Sequence, residues 1–222
     1  EVRDCLHEEL AQALGPLNDL YRLPDSVFND DNVHTVLTGF DMLILRTYYD
    51  PALRSGMSRG QVAAALPGIL ARTNPRGANK AARFATRTPK TWSAAVQTAL
   101  GRSISFSGRT SAAKEAIRIS AAMGWQDHRR AFAHYAMGRV LQTNDPEGAH
   151  KHYLAAERYY KNSSGTALHR AYVATQLSAY AITKGQGAKA LAIVAPHVET
   201  ARRSENAALL STLLLLRSEA LE

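Results

Sequence analysis

Residues 127–162 read DHRRAFAHYAMGRVLQTNDPEGAHKHYLAAERYYKN, and this stretch decides the predicted fold class. Small and apolar residues recur at helical spacing on both sides of the turn Asn144-Asp145-Pro146. The pattern predicts two antiparallel helices, over 127–143 and 146–162. Aromatic residues make up only 7% of the chain while Ala and Leu are abundant, which also favours helices over a β-sandwich. We expect a mainly α protein.

The residues from 111 to the C-terminus continue this pattern of helical hairpins. Turn residues separate further predicted helices at 111–123, 165–184, 187–203 and 205–221. One set of positions resembles the small and aromatic positions of a tetratricopeptide repeat (TPR): Gly138, Ala149, Tyr153 and Ala156. A second set of small residues repeats the spacing of Ala149, Tyr153 and Ala156 at 39 positions further along the chain: Ala188, Ala192 and Ala195. The TPR period is usually about 34 residues and its Trp and Pro marks are missing here, so ordinary antiparallel helix packing stays open as the alternative.

Three more helices are predicted in the first third of the chain. The first runs over residues 2–14 and ends at Gly15-Pro16. Thr38 is expected to cap the second, and Ser58 to cap the third through a capping box of the S-x-x-Q type. Pro67 lies inside the third helix and is expected to kink or divide it.

The end of the first predicted helix carries a spacing that zinc proteases use. Residues 8–18 follow the frame E-E-x-x-Q-x-x-G-x-x-N, which resembles the H-E-x-x-H-x-x-G-x-x-H motif of the metzincins. In that family three His hold zinc, and the Glu acts as the base on the bound water. The resemblance places the metal-ligand positions at Glu8, Gln12 and Asn18, and the catalytic base position at Glu9.

A second patch follows in the order expected of a metzincin. Residues 25–30 (DSVFND) and 37–49 (LTGFDMLILRTYY) resemble the Met-turn, the Leu-Thr-x-x-Asp cap and the last helix of matrixin- and serralysin-type proteases, with Phe28 at the Met-turn position. The same region also resembles uncharacterised secreted bacterial proteins distantly related to metzincins. The resemblance covers residues 1–75 and only the C-terminal half of a protease domain. It implies a periplasmic or secreted location.

The three ligand positions no longer carry zinc-binding chemistry. Neutral imidazole binds zinc well, whereas the amides of Gln12 and Asn18 are weak ligands. We therefore expect no bound metal and no catalysis by Glu9. We expect instead a hydrogen-bonded polar cluster, or a degenerate peptide-binding cleft, formed by Glu8, Gln12, Asn18 and Asp19. The alternative is a metal-dependent peptidase that holds zinc, or loosely a harder divalent cation, with these unusual ligands.

The net charge of +8 is unevenly distributed along the chain. Residues 1–75 hold 6 Lys/Arg and 10 Asp/Glu, whereas residues 76–222 hold 21 and 9. This asymmetry predicts a metzincin-like subdomain over 1–75, a basic linker over 76–110 with one helix that starts at Pro89, and a TPR-like region over 111–222. Tyrosines among basic residues are typical of helix packing, and no recognised nucleic-acid-binding motif is present. A nucleic-acid partner is therefore not expected.

Three smaller features bear on the compartment and the ends of the chain. Cys5 is the only cysteine, so we expect either a small buried thiol or a link to a part outside this sequence. The chain begins at Glu1 without Met, from which we expect a processed or truncated start. No run approaches the roughly 20 apolar residues of a membrane span.

The last predicted helix contains the run LLSTLLLL at 209–216 and is apolar on almost every side. Such a helix needs cover on all faces, whereas the end repeat of a solenoid normally has a polar face. We expect it to pack against another chain or a continuation of this one. The favoured hypothesis is a non-enzymatic protein–protein interaction or assembly protein, with partners bound through the helical array, this helix and the basic surface.

Overall fold

The computed structural model describes residues 2–16, 20–78, 80 and 86–222, with the backbone alone for residues 2–5. This part of the chain is mainly helical and contains no strand, as predicted. It divides into two compact units, one ending at Thr86 and one beginning at Arg87. The boundaries of the predicted basic linker stay a prediction.

The first unit contains three α-helices and a short 3-10 turn: α1 (Val2–Ala13), α2 (Gly39–Tyr48), α3 (Arg59–Thr73) and the turn Pro75–Gly77. Residues 20–38 form successive turns, in keeping with their content of Pro, Asn and Asp. Both predicted helix caps are confirmed. The hydroxyls of Thr38 and Ser58 each accept a hydrogen bond from the backbone amide three residues later. In return, the Thr38 and Ser58 amides donate to the side chains of Asp41 and Gln61, which completes two capping boxes.

Helix α3 runs without interruption through Pro67, so the predicted division of this helix is wrong. Pro67 removes one backbone donor, which leaves the carbonyl of residue 63 without its helical partner. Both positions lie on the exposed side of the helix. Water can therefore satisfy that carbonyl, and the helix continues.

The second unit is a succession of antiparallel helices: α4 (Lys90–Leu100), α5 (Phe106–Ala122), α6 (His128–Leu141), α7 (Pro146–Lys161), α8 (Ala167–Thr183), α9 (Gly187–Val194), α10 (Val198–Arg203) and α11 (Ala207–Glu219). Each helix from α4 to α9 packs against the next one along the chain. Contacts also join α4 to α6 and α8 to α11, two helices or more apart. The hairpins are therefore stacked side by side.

Three helix boundaries differ from the prediction. α5 begins at Phe106 instead of residue 111, because the Ser105 hydroxyl accepts the Gly108 amide and caps an earlier turn. The predicted helix 187–203 is divided into α9, a 3-10 turn at Ala195–His197 and α10, because Pro196 has no amide hydrogen to continue the helix. Pro89 occupies the N-cap of α4 and not its first helical position.

The sequence echo between α7 and α9–α10 lies in a different register from the one predicted. Ala188, Ala192 and Ala195 are exposed. Four of the five buried residues of α7 have a buried counterpart 41 positions later: Ala149, Tyr153, Ala156 and Tyr160 correspond to Ala190, Val194, His197 and Ala201. The fifth, Tyr159, corresponds to Thr200, which is half-buried. Packing against α8 decides the register, since the Ser178 hydroxyl donates to the buried Ala190 carbonyl at 3.3 Å.

The final helix buries only part of its apolar surface. Leu209 and Leu213 are buried, whereas Leu214 and Leu215 are 44% and 71% exposed. Asn206 holds the start of α11 in place, because its side chain caps the Leu209 amide and donates to the Tyr172 hydroxyl at 2.8 Å. The expected partner on the outer face of α11 stays a prediction.

Candidate functional site

The predicted metal positions lie on α1 in the first unit. Glu8 and Gln12 are one turn apart and both half-buried, whereas Glu9 is exposed. Asn18 and Asp19 lie outside the described residues. Within the described ranges, no group of three or more His, Cys, Asp or Glu side chains converges as metal ligands would. One carboxylate and one amide on a single helix face do not fit a zinc centre.

The turn that contains Phe28 packs beneath α1. Val27 and Phe28 are each 3% exposed, and they form a cluster with Ala11 of α1. Leu23, Leu37 and Ile44 surround this cluster. The contact places the turn of residues 25–30 against the helix that carries Glu8 and Gln12.

Asp41 ties the same turn to the start of α2. Its carboxylate is fully buried and accepts hydrogen bonds from the Ser26 hydroxyl at 2.5 Å, the Val27 amide at 3.1 Å and the Thr38 amide at 2.7 Å. These three donors satisfy the buried carboxylate oxygens with contacts inside the first unit. Asp41 therefore serves the fold of the turn, well beyond the helix-capping role predicted for it.

Two tyrosines at the end of α2 hold the end of α1. The Tyr49 hydroxyl donates to the Leu14 carbonyl at 2.8 Å. Gly15 has a positive φ of 131°, and its backbone lies against the Tyr48 ring, where any side chain would collide. Gly15 thus follows the end of α1 at a close contact with α2.

The second unit contains a cavity of about 410 Å³ between the end of α6, the first half of α7 and the second half of α8. Its walls combine aromatic, amide and cationic side chains with small apolar ones: Gln142, Pro146, Ala149, His150, Tyr153, Gln176, Ala179, Tyr180, Thr183 and Lys184. The volume lies in the range of sites that hold a small molecule or a few peptide side chains. The sequence analysis did not find this cavity, because its walls come from three helices.

Polar contacts at the rim hold the cavity walls in place. Glu147 accepts from the Tyr180 hydroxyl at 2.5 Å and from Lys184 at 2.7 Å, and these bonds lower the pKa of its carboxyl. The His150 ring is stacked on Tyr180 with ring centroids 3.9 Å apart. The His150 Nδ1 atom is buried and has no hydrogen-bond partner among the described residues.

A second cluster lies on the seam between α6 and α7. His134 and His152 approach with their Nδ1 atoms 3.0 Å apart, and the His134 ring is also stacked on Tyr159. Burial, followed by the positive charge of His152, Arg130 and Arg158, lowers the pKa of His134 to about 4. The pairing of His134 with His152 was not predicted, because the two residues lie 18 positions apart on different helices. In the sequence, the four-residue spacing of Arg130 and His134 places two members of the cluster on the same helix face, but it does not indicate the partners on α7.

Comparison with known proteins bears on the first unit alone. Residues 1–68 match a family described as Protein of unknown function (DUF2927). No curated protein and no solved structure matches the chain. Across the described ranges, no helix combines the length and the apolar character needed to cross a bilayer.

Proposed function

We propose that the chain is a non-enzymatic protein–protein interaction or assembly protein that acts outside the cytoplasm. Its first unit is a metzincin-like remnant without a working metal site, and its second unit is a TPR-like array that binds a polypeptide partner. The extracytoplasmic location rests on the resemblance of residues 1–75 to secreted bacterial proteins.

The observation that carries the proposal is the repeated buried pattern of the second unit. In the α6–α7 hairpin, the second helix buries Ala149, Tyr153, Ala156 and Tyr160. The positions 41 residues further along the chain, in α9–α10 and the turn between them, are also buried. Stacked hairpins with recurring small residues are characteristic of helical arrays, which bind extended segments in grooves between helices. The length of the repeat unit departs from a standard TPR, so the likeness is one of packing.

The cavity between α6, α7 and α8 is the proposed contact point for the partner. It is lined by Tyr153 and Tyr180, by Gln142 and Gln176, and by His150. Aromatic rings supply contact area, and amides can bind the backbone of a peptide. This mixture suits a short peptide segment.

The first unit supports a role without catalysis. The apolar packing of Phe28 under α1 and the bonds to Asp41 maintain the fold with protein contacts alone. Glu8 and Gln12 share one helix face, which favours the metal-dependent peptidase as the alternative function. Metal analysis of the purified protein separates the two: stoichiometric zinc that is lost in both Glu8→Ala and Gln12→Ala would contradict our proposal.

The array function can be tested by filling the cavity. Ala179 is half-buried in the cavity wall, whereas Ala192 is exposed on α9 outside it. We expect a partner captured from native extracts to be retained by the wild type and by Ala192→Arg, but released by Ala179→Arg. Equal retention by both variants, with unchanged melting temperatures, would show that the cavity is not the contact point.

A further inference from the structure

We propose that the seam between α6 and α7 is a second binding site, in which Arg130, Arg158 and His134 hold the carboxylates of an acidic peptide segment. None of these three residues lines the cavity described above. The inference rests on the proposed function in one respect, namely that the partner is a polypeptide.

The cationic groups of this site gather around a single aromatic ring. The guanidinium carbons of Arg130 and Arg158 lie 4.7 and 4.8 Å from the centroid of the Tyr159 ring. The His134 ring is stacked on the same tyrosine at 5.7 Å with an interplanar angle of 11°. These contacts keep both arginines at the seam beside His134, where an anion can meet them.

The two guanidinium groups have donors left for a ligand. Arg130 donates to the Trp125 carbonyl at 3.2 Å, but its Nε is buried and has no acceptor among the described residues. Arg158 donates to the Tyr159 hydroxyl at 3.1 Å. The neighbouring carboxylate of Glu157 does not neutralise them, because it pairs with Arg170 at 2.6 Å. Arg158 is exposed and Arg130 half-buried, so a carboxylate from outside can accept from their remaining Nη donors and supply the opposite charge.

The electrostatics of the histidine pair favour an anion over a metal ion. Two positively charged side chains act on His134, Arg130 from α6 and Arg158 from α7, together with the His152 ring. A cation placed between the His134 and His152 nitrogens would be repelled by both arginines. Asp145 is the one acidic group that acts on the pair, and it acts on His152. An anion at the seam lowers this positive potential and stabilises protonated His134.

An acidic peptide is the occupant that best fits the rest of the unit. Residues 87–222 contain 18 Lys/Arg and 9 Asp/Glu, so the whole unit attracts a negatively charged chain. Arginine forks bind carboxylates with two parallel hydrogen bonds, which gives orientation as well as attraction. Tyr159 itself is 6% exposed and leaves little ring face for stacking a nucleic-acid base.

The test measures the binding of a fluorescently labelled oligoglutamate peptide to the full chain by anisotropy. We expect the Arg130→Gln/Arg158→Gln double variant to bind at least about tenfold more weakly than the wild type. The matched control is Arg118→Gln/Arg202→Gln, which removes the same charge from exposed helix ion pairs with Glu115 and Glu199. This control should weaken binding by less than about threefold, since only long-range attraction is lost.

A second readout follows the His134 ring by NMR. Saturating oligoglutamate should raise the pKa of His134 in the wild type, and oligoglutamine should leave it unchanged. Equal weakening in the two double variants, an unchanged His134 pKa, or tighter binding of an oligothymidylate of the same charge would each overturn the inference. Such a failure would leave the Ala179→Arg and Ala192→Arg comparison intact, because those variants report on the cavity.

Discussion

The Tyr153 ring of α7 lies directly against the backbone of Gly138 in α6. A Cβ atom added at Gly138 would come within 2.6 Å of ring carbon Cε1. Tyr153 is 3% exposed and donates a hydrogen bond from its hydroxyl to Gln142 Oε1 at 3.1 Å, so the ring cannot turn aside without losing that bond. The absence of a side chain at residue 138 therefore sets the distance between the two helices.

Replacing Gly138 with Ala should destabilise the second unit. Overpacking costs about 1–3 kcal/mol, which exceeds the roughly 1 kcal/mol that Ala contributes through helix propensity. We expect a net loss of up to about 2 kcal/mol. Urea unfolding followed by Trp fluorescence measures it, because both tryptophans, Trp92 and Trp125, belong to this unit.

The control for that substitution is Gly68→Ala in α3. Gly68 is exposed, and a Cβ there meets only an arginine nitrogen at 3.8 Å. No steric cost should therefore offset the gain in helix propensity. We expect a small rise in the melting temperature, measured by far-ultraviolet circular dichroism. A loss of stability at Gly68, or none at Gly138, would contradict the assignment of the close contact.

Replacing Asp41 with Asn should loosen the turn of residues 25–28. The amide retains the shape of the carboxylate but loses its charge and one acceptor, so we expect a cost of about 2–3 kcal/mol. Hydrogen exchange of the Val27 and Thr38 amides, which donate to Asp41, should become correspondingly faster. In Asp25→Asn, whose side chain is 62% exposed, the change should stay below about 0.5 kcal/mol.

Replacing Arg129 with Met should destabilise the start of α6. The side chain of Arg129 is 2% exposed, lies over the Trp125 ring at 3.8 Å and donates to both Asp127 and Thr88. Removing one partner of a largely buried pair costs about 3 kcal/mol. Trp fluorescence during urea unfolding records the loss. An unchanged transition midpoint would show that this network contributes nothing to stability.

The stability of the second unit should fall as the pH drops from about 6.5 to about 4. The pKa of His134 in the folded protein is about 4, below the ordinary value of 6.5, so the unfolded chain takes up a proton first. A shift of this size corresponds to about 3 kcal/mol, and solvent at the half-buried ring reduces the expected loss to about 2 kcal/mol. This predicted loss of stability is tested by measuring the free energy of unfolding at several pH values between about 6.5 and about 4.

The matched variant for this pH dependence is His134→Gln. Glutamine retains a hydrogen-bonding group toward His152 and does not titrate. The other histidines with lowered pKa values titrate in both proteins: His150, His152 and His197. We expect the variant to lose less stability than the wild type over this range. Parallel curves for the two proteins would rule out His134 as the origin.

Local patterns allowed much of the helical structure to be predicted. The caps at Thr38 and Ser58 involve contacts three residues apart, which any helix start brings together. The same reasoning placed Glu8 and Gln12 on one face of α1. It was wrong at Pro67 and at Pro196, because the effect of a proline depends on whether solvent or packing satisfies the neighbouring carbonyl.

The sequence alone determined the mainly helical class, the positions of most turns and the charge contrast between the two parts of the chain. These depend on composition and on neighbours within one turn of helix. Only the tertiary structure decided the 41-residue register, the cavity, and the meeting of His134 with His152, which are 18 residues apart. Those features depend on which helix faces come together, and packing between distant residues decides that.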